Sequence, residues 1–329
     1  MNVGILGATG AVGMQMLECL KERNIRIDNL KLLASKNSAG QVINFKGNDI
    51  IIEETSENSF TGLDVVLGAV ENEFAKEFAP AIKKAGAVFI DNSSAFRMDT
   101  NVPLVVPEIN KEDIKNHNGI IANPNCSTII TCMAVYGIHK VAGIKTMIAS
   151  TYQAVSGAGV YGIKSLEDEL AAIVNKRPMP EKNVFPYQIA YNCIPSIGSP
   201  SSDNYTTEEL KLQNEGRKIM HNPNMNVTCT CIRVPVLRSH SISVSLGLEK
   251  NISIEEAKAA VVRMPNVILE DDLNNKIYPM PINTTNKDIV SVGRIRKDYV
   301  LENGIALWCS GDQIRKGAAT NAVQILENL

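Results

Sequence analysis

The sequence predicts an α/β fold of two domains, and three observations lead to this prediction. The chain has 329 residues, which is more than a single hydrophobic core usually organises. Over residues 1–125, short apolar runs alternate with helical patterns, which is typical of βαβ units around a buried parallel sheet. Over residues 126–312, longer strand-like segments follow one another, which indicates an α+β domain with a mostly antiparallel sheet.

The predicted strands of the first domain are short and apolar. They are VGILGA, LKLLAS, DVVLGAV, AVFIDNSS and GIIANP, with the helical patterns VGMQMLECLKERN and EFAKEFAPAIKKAG between them. In the second domain the predicted strands are KTMIASTYQAVSG, NVTCTCIRVPVL, HSISVSLGLEK and IALWCS. Two helices of that domain are predicted from capping boxes, Thr206 with Glu209 and Ser253 with Glu256.

Two further segments bear on how the domains are organised. Residues 175–204 are rich in Pro, Asn and Ser, which predicts a long excursion that either covers the site as an ordered loop or binds a partner. Residues 313–329 carry apolar residues at helical spacing, so we expect a C-terminal helix that packs back onto the first domain. The predicted boundaries are 1–125 for the first domain and 126–312 for the second.

Composition and charge exclude several classes of protein. The formal net charge is -2, with 44% apolar and 21% charged residues, so nothing favours binding to nucleic acid or to an anionic membrane. No apolar run reaches transmembrane length, and the N-terminus enters a strand without a signal sequence, which predicts a cytoplasmic protein. The seven cysteines form no CxxC pair and no histidine lies at zinc-ligand spacing, so we expect neither disulfides nor a metal site.

The stretch GATGAVG lies directly between the first predicted strand and the first predicted helix. Glycine there allows a tight turn and lets the backbone approach a pyrophosphate, which the helix N-terminus stabilises. The pattern predicts a Rossmann-type dinucleotide-binding domain, with cofactor contacts from Gly7, Thr9, Gly10, Ala11 and Val12. The spacing is GxxGxxG and not GxGxxG, so close strand-to-helix packing remains an alternative explanation of the glycines.

The end of the second predicted strand, LKLLASKNSAG, indicates which dinucleotide binds. An NAD site usually places a carboxylate there for the ribose hydroxyls, and this stretch has none. Ser35, Lys36, Asn37 and Ser38 instead offer hydroxyls, an amide and a positive charge, which suit a 2'-phosphate. The residues therefore favour NADP, although the same four would also form an ordinary polar turn.

The stretch NPNCST places Cys126 at the start of the helical pattern IITCMAVYGIHKV. A thiol at a helix N-terminus lies in the positive end of the macrodipole, which stabilises the thiolate. Asn125 and Ser127 add polar donors for an oxyanion formed by attack at Cys126. The pattern predicts a nucleophile, while the alternative is a cysteine that is inert in the core.

The residues that would accompany such a nucleophile are charged or titratable. CIRVPVLRSHS contains Arg233 and His240, which suit anion binding and proton transfer respectively. Arg97 follows a predicted strand end in SSAFRM, and Glu208 and Lys211 lie three residues apart on one helical face. Taken singly, each has an ordinary explanation, such as a surface histidine or a solvated i,i+3 pair.

Together these motifs resemble a known family. GATGAVG, DNSSAFRM, NPNCST, YQAVSGAG, EELK, RVPVLRSHS and SGDQIRKGAA occur in the order and at about the separations of the shorter bacterial aspartate-semialdehyde dehydrogenases. The resemblance covers essentially the whole chain. Its specific part is NPNCST followed by RVxxxRxH, because the glycine loop adds little discrimination.

The resemblance implies an enzyme that reduces L-4-aspartyl phosphate with NADPH to L-aspartate 4-semialdehyde and phosphate, on the route to lysine, threonine and methionine. By that resemblance Cys126 attacks the acyl phosphate to form a thioester, and phosphate leaves with help from Arg97 and Lys211. His240 acts as acid and base.

The resemblance also assigns the residues that hold the substrate and part of the cofactor. Arg233 holds the substrate α-carboxylate, Glu208 meets its α-amino group, and Gln153 positions the substrate near the thiol. The positions that match cofactor contacts outside the glycine loop are Ser156, Gly157 and Gln313. This chain departs from the family at Asn37, where an arginine is frequent, so either Lys36 substitutes as a point charge or the selectivity for NADP over NAD is weaker than is usual in the family.

Three rival functions remain at this stage. N-acetyl-glutamyl-phosphate reductase shares the cysteine chemistry, but its acylated substrate has no use for a carboxylate such as Glu208. Glyceraldehyde-3-phosphate dehydrogenase lacks the EELK and DNSSAFRM motifs. A catalytically silent paralogue should lack Cys126 or His240, and this chain has both.

For assembly, the resemblance implies a homodimer or a dimer of dimers. Two-fold association is in any case the commonest arrangement of oligomeric enzymes.

Overall fold

The computed structural model describes residues 1–181 and 184–329. The helices are α1 (Ala11–Glu22), α2 (Asn72–Lys84), α3 (Pro107–Asn110), α4 (Cys126–Ala142), α5 (Gly159–Val174), α6 (Thr207–Ile219), α7 (Ile254–Val262), α8 (Pro281–Thr284) and α9 (Thr320–Glu327). The strands are β1 (Asn2–Leu6), β2 (Asn29–Ala34), β3 (Val42–Phe45), β4 (Asn48–Ile51), β5 (Glu53–Glu54), β6 (Val65–Gly68), β7 (Val88–Asp91), β8 (Ile120–Ala122), β9 (Ile144–Gln153), β10 (Asn226–Arg233), β11 (His240–Leu248), β12 (Val267–Leu269), β13 (Val290–Lys297) and β14 (Ile305–Gly311).

The chain divides into two compact units. One unit comprises Met1–Asn125 together with Gly317–Leu329, and the other comprises Cys126–Lys316. The first unit contains a parallel sheet in the strand order β5-β2-β1-β6-β7-β8. This is the doubly wound arrangement that the alternation of strands and helices predicts, and the α/β fold class is confirmed.

The core of the first unit lies around the central strands. The strands β1, β6 and β7 are almost entirely buried because both faces of a parallel sheet are covered, which explains their mostly apolar sequences. The last residues of the chain complete this core, since Ala322, Val323 and Ile325 are fully buried in the same cluster as β1. Arg23, which directly follows α1, also makes two hydrogen bonds to Glu327 on α9, at 2.7 and 2.6 Å.

The second unit contains a mixed sheet in the order β10-β9-β11-β14-β13-β12. The pairs at the two edges are parallel, and the three central pairings are antiparallel, so the sheet is mostly antiparallel as the sequence predicts. Strands β12 and β13 and the hairpin β3–β4 are not predicted by the sequence pattern. The sequence VSVGRIRK of β13 contains several polar and charged residues, so it does not read as a buried strand. Its first four residues are nevertheless buried.

Both predicted capping boxes are confirmed. Thr206 accepts from the backbone N–H of Glu209 at 3.4 Å, and the Glu209 carboxylate accepts from the backbone N–H of Thr206 at 2.7 Å. The same exchange at Ser253 and Glu256 begins α7. Within residues 1–181 and 184–329, no helix is both long and apolar enough to cross a membrane.

Candidate active site

The candidate site lies at one edge of the sheet in the second unit, where the ends of several strands meet. β9 and β10 run parallel and end side by side, with Gln153 opposite Arg233. β11 runs in the opposite direction, so it begins at this edge with His240, which pairs with Gly311 at the end of β14. The topology thus brings together residues that lie up to 158 positions apart in the chain.

Cys126 is the first residue of α4 and is partly exposed. Three other cysteines of the same unit are buried and protonated. Burial raises the pKa of Cys132 and raises that of Cys309 to about 12, and the hydrogen bond with Cys231 together with burial raises the pKa of Cys229. Cys126 differs from them because it combines solvent access with a helix N-terminus, the environment in which a thiolate is stabilised.

Arg233 ends β10 and is 7% exposed. Its Nη1 donates to the carbonyl oxygen of Ala154 at 2.7 Å. Burial lowers the pKa of Arg233, and the negative charges of Cys126 and Glu208 oppose that shift. A guanidinium remains protonated in any protein environment, so the site holds a fixed, partly desolvated positive charge close to the thiol and to one carboxylate.

His240 is fully buried, and its Nδ1 accepts the backbone N–H of Ala154 at 3.1 Å. A backbone N–H can only donate, so the neutral ring carries its proton on Nε2. Burial and the charge of Arg233 lower the pKa of His240 to about 3, against the opposing effects of Glu208 and the Ser239 backbone. The ring is therefore neutral near pH 7 in the protein without substrate.

Gln153, Glu208 and Lys211 form a short polar chain beside the histidine. Gln153 Nε2 donates to Glu208 Oε1 at 3.2 Å and lies 3.4 Å from His240 Nε2. Gln153 Oε1 accepts from the Thr151 hydroxyl at 2.9 Å, which orients the amide. Lys211 Nζ donates to Glu208 Oε2 at 2.9 Å, so the carboxylate is paired before any substrate ammonium arrives.

The position of Glu208 follows from how α6 begins. The neighbouring Glu209 caps α6 and its Oε1 also accepts from the backbone N–H of Cys231 on β10, at 3.1 Å. This contact ties the first turn of α6 to the strand that ends at Arg233. A carboxylate and a guanidinium are thereby held in one region by main-chain contacts, independently of any bond between their own side chains.

Gly157 leaves space next to the two basic groups. A Cβ atom at this position would lie 2.7 Å from Arg233 Nη1 and 3.3 Å from His240 Cε1. Nearby, the Gln313 amide donates to the Ser156 hydroxyl, and Gln313 Oε1 accepts from the backbone N–H of Ser239 at 2.8 Å. All three residues that the resemblance assigns to cofactor contacts thus lie around the same edge of the sheet.

Arg97 belongs to the first unit and is 7% exposed. Its Nε donates to the carbonyl oxygen of Asn123 at 3.0 Å and its Nη2 donates to that of Asn92 at 2.6 Å. The Asn123 side chain in turn donates to Asn92 Oδ1 at 2.5 Å and accepts from Asn321 of α9 at 2.7 Å. This chain of amides, in which Asn123 and Asn321 are buried, fixes the arginine and the loop that leads to Asn125.

The glycine loop of the first unit has the geometry of a phosphate cradle. Gly7 has φ +86°, and a Cβ there would lie 2.4 Å from the carbonyl oxygen of Ala69, so only glycine fits. Within the described ranges, no side chain caps the N-terminus of α1 at Gly10. The first N–H groups of α1 can therefore bind an anion, and the residues present fit the pyrophosphate of a dinucleotide.

The predicted 2'-phosphate turn follows β2 in the same unit. Ser35, Lys36 and Asn37 are exposed, and Thr9 Oγ1 of the glycine loop donates to Ser38 Oγ at 3.4 Å. The hydroxyl contact joins the two segments that the sequence assigns to one cofactor. In the part of the chain that the structure describes, no cluster of three His, Cys, Asp or Glu residues is placed to hold a metal ion.

Sequence reasoning missed the part played by Ala154. Its backbone N–H sets the tautomer of His240 and its carbonyl oxygen anchors Arg233. Main-chain groups leave no signal in residue type, so only the fold reveals such contacts. Asn321 was missed for a similar reason, because its partner Asn123 is 198 residues away.

Comparison with known proteins places the chain in a family. The family described as semialdehyde dehydrogenase, NAD binding domain, matches residues 2–117, and the semialdehyde dehydrogenase, dimerisation domain, matches residues 135–316. The aspartate-semialdehyde dehydrogenase of Aquifex aeolicus is 50% identical over all of this chain and 97% of its own length. That of Bacillus subtilis is 46% identical with the same coverage.

Solved structures agree with the sequence relatives. The crystal structure of aspartate semialdehyde dehydrogenase II from Vibrio cholerae complexed with ASA is 41% identical and superposes with a TM-score of 0.96, covering all of this chain and 97% of that one. A second crystal structure of aspartate semialdehyde dehydrogenase II from Vibrio cholerae is also 41% identical, with a TM-score of 0.96, covering 99% of this chain and 97% of that one. Identity at this level over the full length of both chains is conclusive: the chain belongs to the aspartate-semialdehyde dehydrogenase family.

Proposed function

We propose that this protein catalyses the NADPH-dependent reductive dephosphorylation of L-4-aspartyl phosphate to L-aspartate 4-semialdehyde and phosphate. The observation that carries the proposal is the convergence of Arg233, Glu208 and His240 at one sheet edge, with the charge of Cys126 acting on Arg233. Family membership supports it, since each relative reported above has this activity in its name. The product lies on the route to lysine, threonine and methionine.

Cys126 is the proposed nucleophile. Its thiolate attacks the acyl carbon, the bond to the phosphate oxygen breaks, and phosphate leaves as a thioester forms. A free carboxylate is too unreactive toward hydride, whereas a thioester is reactive enough, so the covalent step makes the reduction feasible. Arg97 and Lys211 are the proposed cationic partners of the leaving phosphate, and Asn125 is proposed to act beside the thiol.

Substrate recognition falls to three residues. Arg233 has the planar donors that match an α-carboxylate, and Glu208 offers the charge that meets an α-ammonium. Gln153 contacts both Glu208 and His240, so it is placed to orient the substrate between them. Lys211 is hydrogen-bonded to Glu208, and a substrate ammonium bound to Glu208 would release this lysine toward an anion.

His240 is proposed to exchange a proton at Nε2 with the tetrahedral adduct on Cys126. Burial is the main cause of the low pKa of the ring, and the charge of Arg233 lowers this pKa further. A substrate carboxylate bound to Arg233 offsets that charge and raises the pKa of His240. Substrate binding therefore prepares the imidazole for acid and base work at the moment it is needed.

NADP is the proposed cofactor, held by two groups of residues. The glycine loop would bind its pyrophosphate through Gly7, Thr9, Gly10, Ala11 and Val12, and the turn Ser35, Lys36, Asn37 and Ser38 would bind its 2'-phosphate. Ser156, Gly157 and Gln313 would contact it from the second unit. When bound, the cofactor supplies or accepts the hydride, and every other step belongs to residues of the chain.

The two units receive the corresponding roles. Residues 1–125 with the C-terminal helix form the proposed NADP-binding domain, and the unit that begins at Cys126 forms the proposed catalytic and dimerisation domain. The match of residues 135–316 to a dimerisation domain supports assembly with further copies. We propose a homodimer, or a homotetramer built from two dimers, that works in the cytoplasm.

The reverse reaction tests this function. Purified protein is mixed with L-aspartate 4-semialdehyde, phosphate and NADP, and reduced nicotinamide is followed by absorbance with and without prior thiol alkylation. Phosphate-dependent reduction that alkylation abolishes supports the proposal. Activity with N-acetyl-glutamate semialdehyde in its place would assign the other acyl-phosphate reductase function, and no activity with either aldehyde and either NADP or NAD would refute both.

A further inference from the structure

The connection between α5 and α6 is anchored to the elements that carry the substrate-binding residues. We refer to its residues 184–200 as the 184–200 segment. Ile194 forms a two-way backbone bridge with Arg233, with N···O distances of 3.0 and 2.8 Å. At the far end, Ser199 exchanges hydrogen bonds with Thr207, the residue before Glu208. The segment is thus held against both charged ends of the candidate substrate site.

A buried carboxylate holds the middle of the segment. Glu169 of α5 is 1% exposed, and its Oε2 accepts the backbone N–H groups of Ile189 and Ala190 at 2.8 and 2.7 Å. Ile189, Ala190 and Ile194 also form a small apolar cluster with residues of α5. Charge-assisted bonds to a buried carboxylate are costly to break, so this segment is a fixed wall and not a free loop.

Phe185 is the residue of this wall that reaches the arginine. Its ring packs on the small apolar cluster, and its centroid lies 5.7 Å from Cζ of Arg233. That separation is within cation–π range, and Arg233 is 7% exposed, so the contact operates with little water between the groups. The Ala154 carbonyl holds Nη1 at the same time.

We infer that Phe185 is a positioning residue for Arg233, and that the 184–200 segment forms one wall of the subsite for the substrate α-carboxylate. The ring restricts the guanidinium by its face while the Ala154 carbonyl restricts it by one edge. An arginine side chain otherwise loses much rotamer freedom when it forms a bidentate pair with a carboxylate. Because Phe185 restricts the side chain before the substrate binds, the guanidinium is already oriented for the carboxylate, and binding costs less conformational entropy.

The inference rests on the proposed function and deepens it. It differs from a purely structural role in what it predicts. A Phe185 that only fills the apolar cluster would be replaceable by Leu, whereas a Phe185 that orients Arg233 requires an aromatic ring.

The test compares Phe185→Leu, which keeps apolar bulk, with Phe185→Tyr, which keeps the ring. Tyr187→Leu is the matched control, because Tyr187 is in the same segment and 69% exposed. For Phe185→Leu we expect the KM for L-aspartate 4-semialdehyde to rise about 3- to 10-fold, with kcat and the KM for NADP little changed. Phe185→Tyr should have the same KM for L-aspartate 4-semialdehyde as the wild type.

Two analogues isolate the carboxylate contact. Succinate semialdehyde keeps the carboxylate and lacks the amine, whereas 3-aminopropanal keeps the amine and lacks the carboxylate. Measured as inhibitors of turnover, the former should bind Phe185→Leu about 3- to 10-fold more weakly than it binds the wild type, and the latter equally well. Phe185→Met, of similar volume, replaces Phe185→Leu if the latter does not fold.

The possible results distinguish a failure of the inference from a failure of the proposed function. An active wild type with an unchanged KM in Phe185→Leu, or equal weakening of both analogues, would overturn the inference and leave the proposed function intact. Equal effects in Tyr187→Leu would also overturn it. A folded wild type that is inactive toward the semialdehyde would overturn the proposed function, and the inference with it.

Discussion

Replacing Gly157 by alanine tests whether the lack of a side chain at this position is needed for the guanidinium of Arg233 to keep its place. The added Cβ would lie 2.7 Å from Arg233 Nη1, which is closer than real Cβ contacts. Restoring an ordinary contact of about 3.4 Å requires the guanidinium to move by about 0.7 Å. Its hydrogen bond to the Ala154 carbonyl is 2.7 Å long, and a shift of this size along the bond would lengthen it to about 3.4 Å and weaken it.

The magnitude follows from that bond. A hydrogen bond to a charged group contributes about 1.5 to 3 kcal/mol, so weakening it by about half corresponds to about 4- to 12-fold in substrate affinity. We expect the KM of Gly157→Ala for L-aspartate 4-semialdehyde to rise within this range. His240 is also affected, since the new methyl group would lie 3.3 Å from its Cε1, and a smaller decrease in kcat accompanies the change in KM.

Steady-state kinetics with both substrates, together with the dissociation constant for NADPH from fluorescence titration, give the required quantities. Gly216→Ala in α6 is the matched control, because a Cβ there meets only ordinary contacts at 3.7 and 3.8 Å. That variant should keep wild-type kinetics and gain up to about 1 kcal/mol of stability from helix propensity. A Gly157→Ala enzyme with weakened NADPH binding and an unchanged KM for the semialdehyde would show that this reasoning is wrong.

The remaining predictions concern the three central side chains. Cys126→Ser should abolish turnover and leave NADPH binding nearly intact, and loss of both in the same titration would mean that the cysteine is structural. Arg233→Lys should raise the KM for the semialdehyde at least 10-fold because a point charge cannot reproduce a bidentate fork; an unchanged KM would rule out the carboxylate clamp. Because the folded-state pKa of His240, about 3, lies below the ordinary 6.5, folding disfavours its protonation, so wild-type stability falls with decreasing pH below 6.5. Relative to His240→Gln, the wild type should lose about 2 kcal/mol more between pH 7 and pH 5 in urea unfolding, and equal losses would contradict the low pKa.

Local patterns predicted most of the fold. The capping boxes at Thr206 and Ser253 are short-range signals, and the structure confirms both. The alternation of apolar strands with helices likewise predicted the parallel sheet. Strand β13 was not predicted because its buried residues include Ser291 and Gly293. These two residues are buried because they pair with β14, and their residue types give no sign of it.

The residues of the candidate site likewise differ in how well the sequence predicts them. The residues whose type announces chemistry, such as Cys126, Arg233 and His240, were identifiable from spacing and resemblance. The groups that orient them were not, because Ala154 acts through its backbone and Phe185 acts through a contact with a residue 48 positions away in the sequence. Sequence reasoning therefore finds the reacting groups more readily than it finds their supports.

The discontinuity of the first unit has a consequence for synthesis of the protein. Its core includes residues of α9, which leave the ribosome only after the roughly 190 residues of the second unit have been translated. At ~5–20 residues per second, Met1–Asn125 must wait about 10 to 40 s with part of its apolar surface uncovered. The second unit is continuous in sequence and meets no such delay. Of the two units, the first, whose N-terminal part is synthesised earliest, therefore depends more on chaperones.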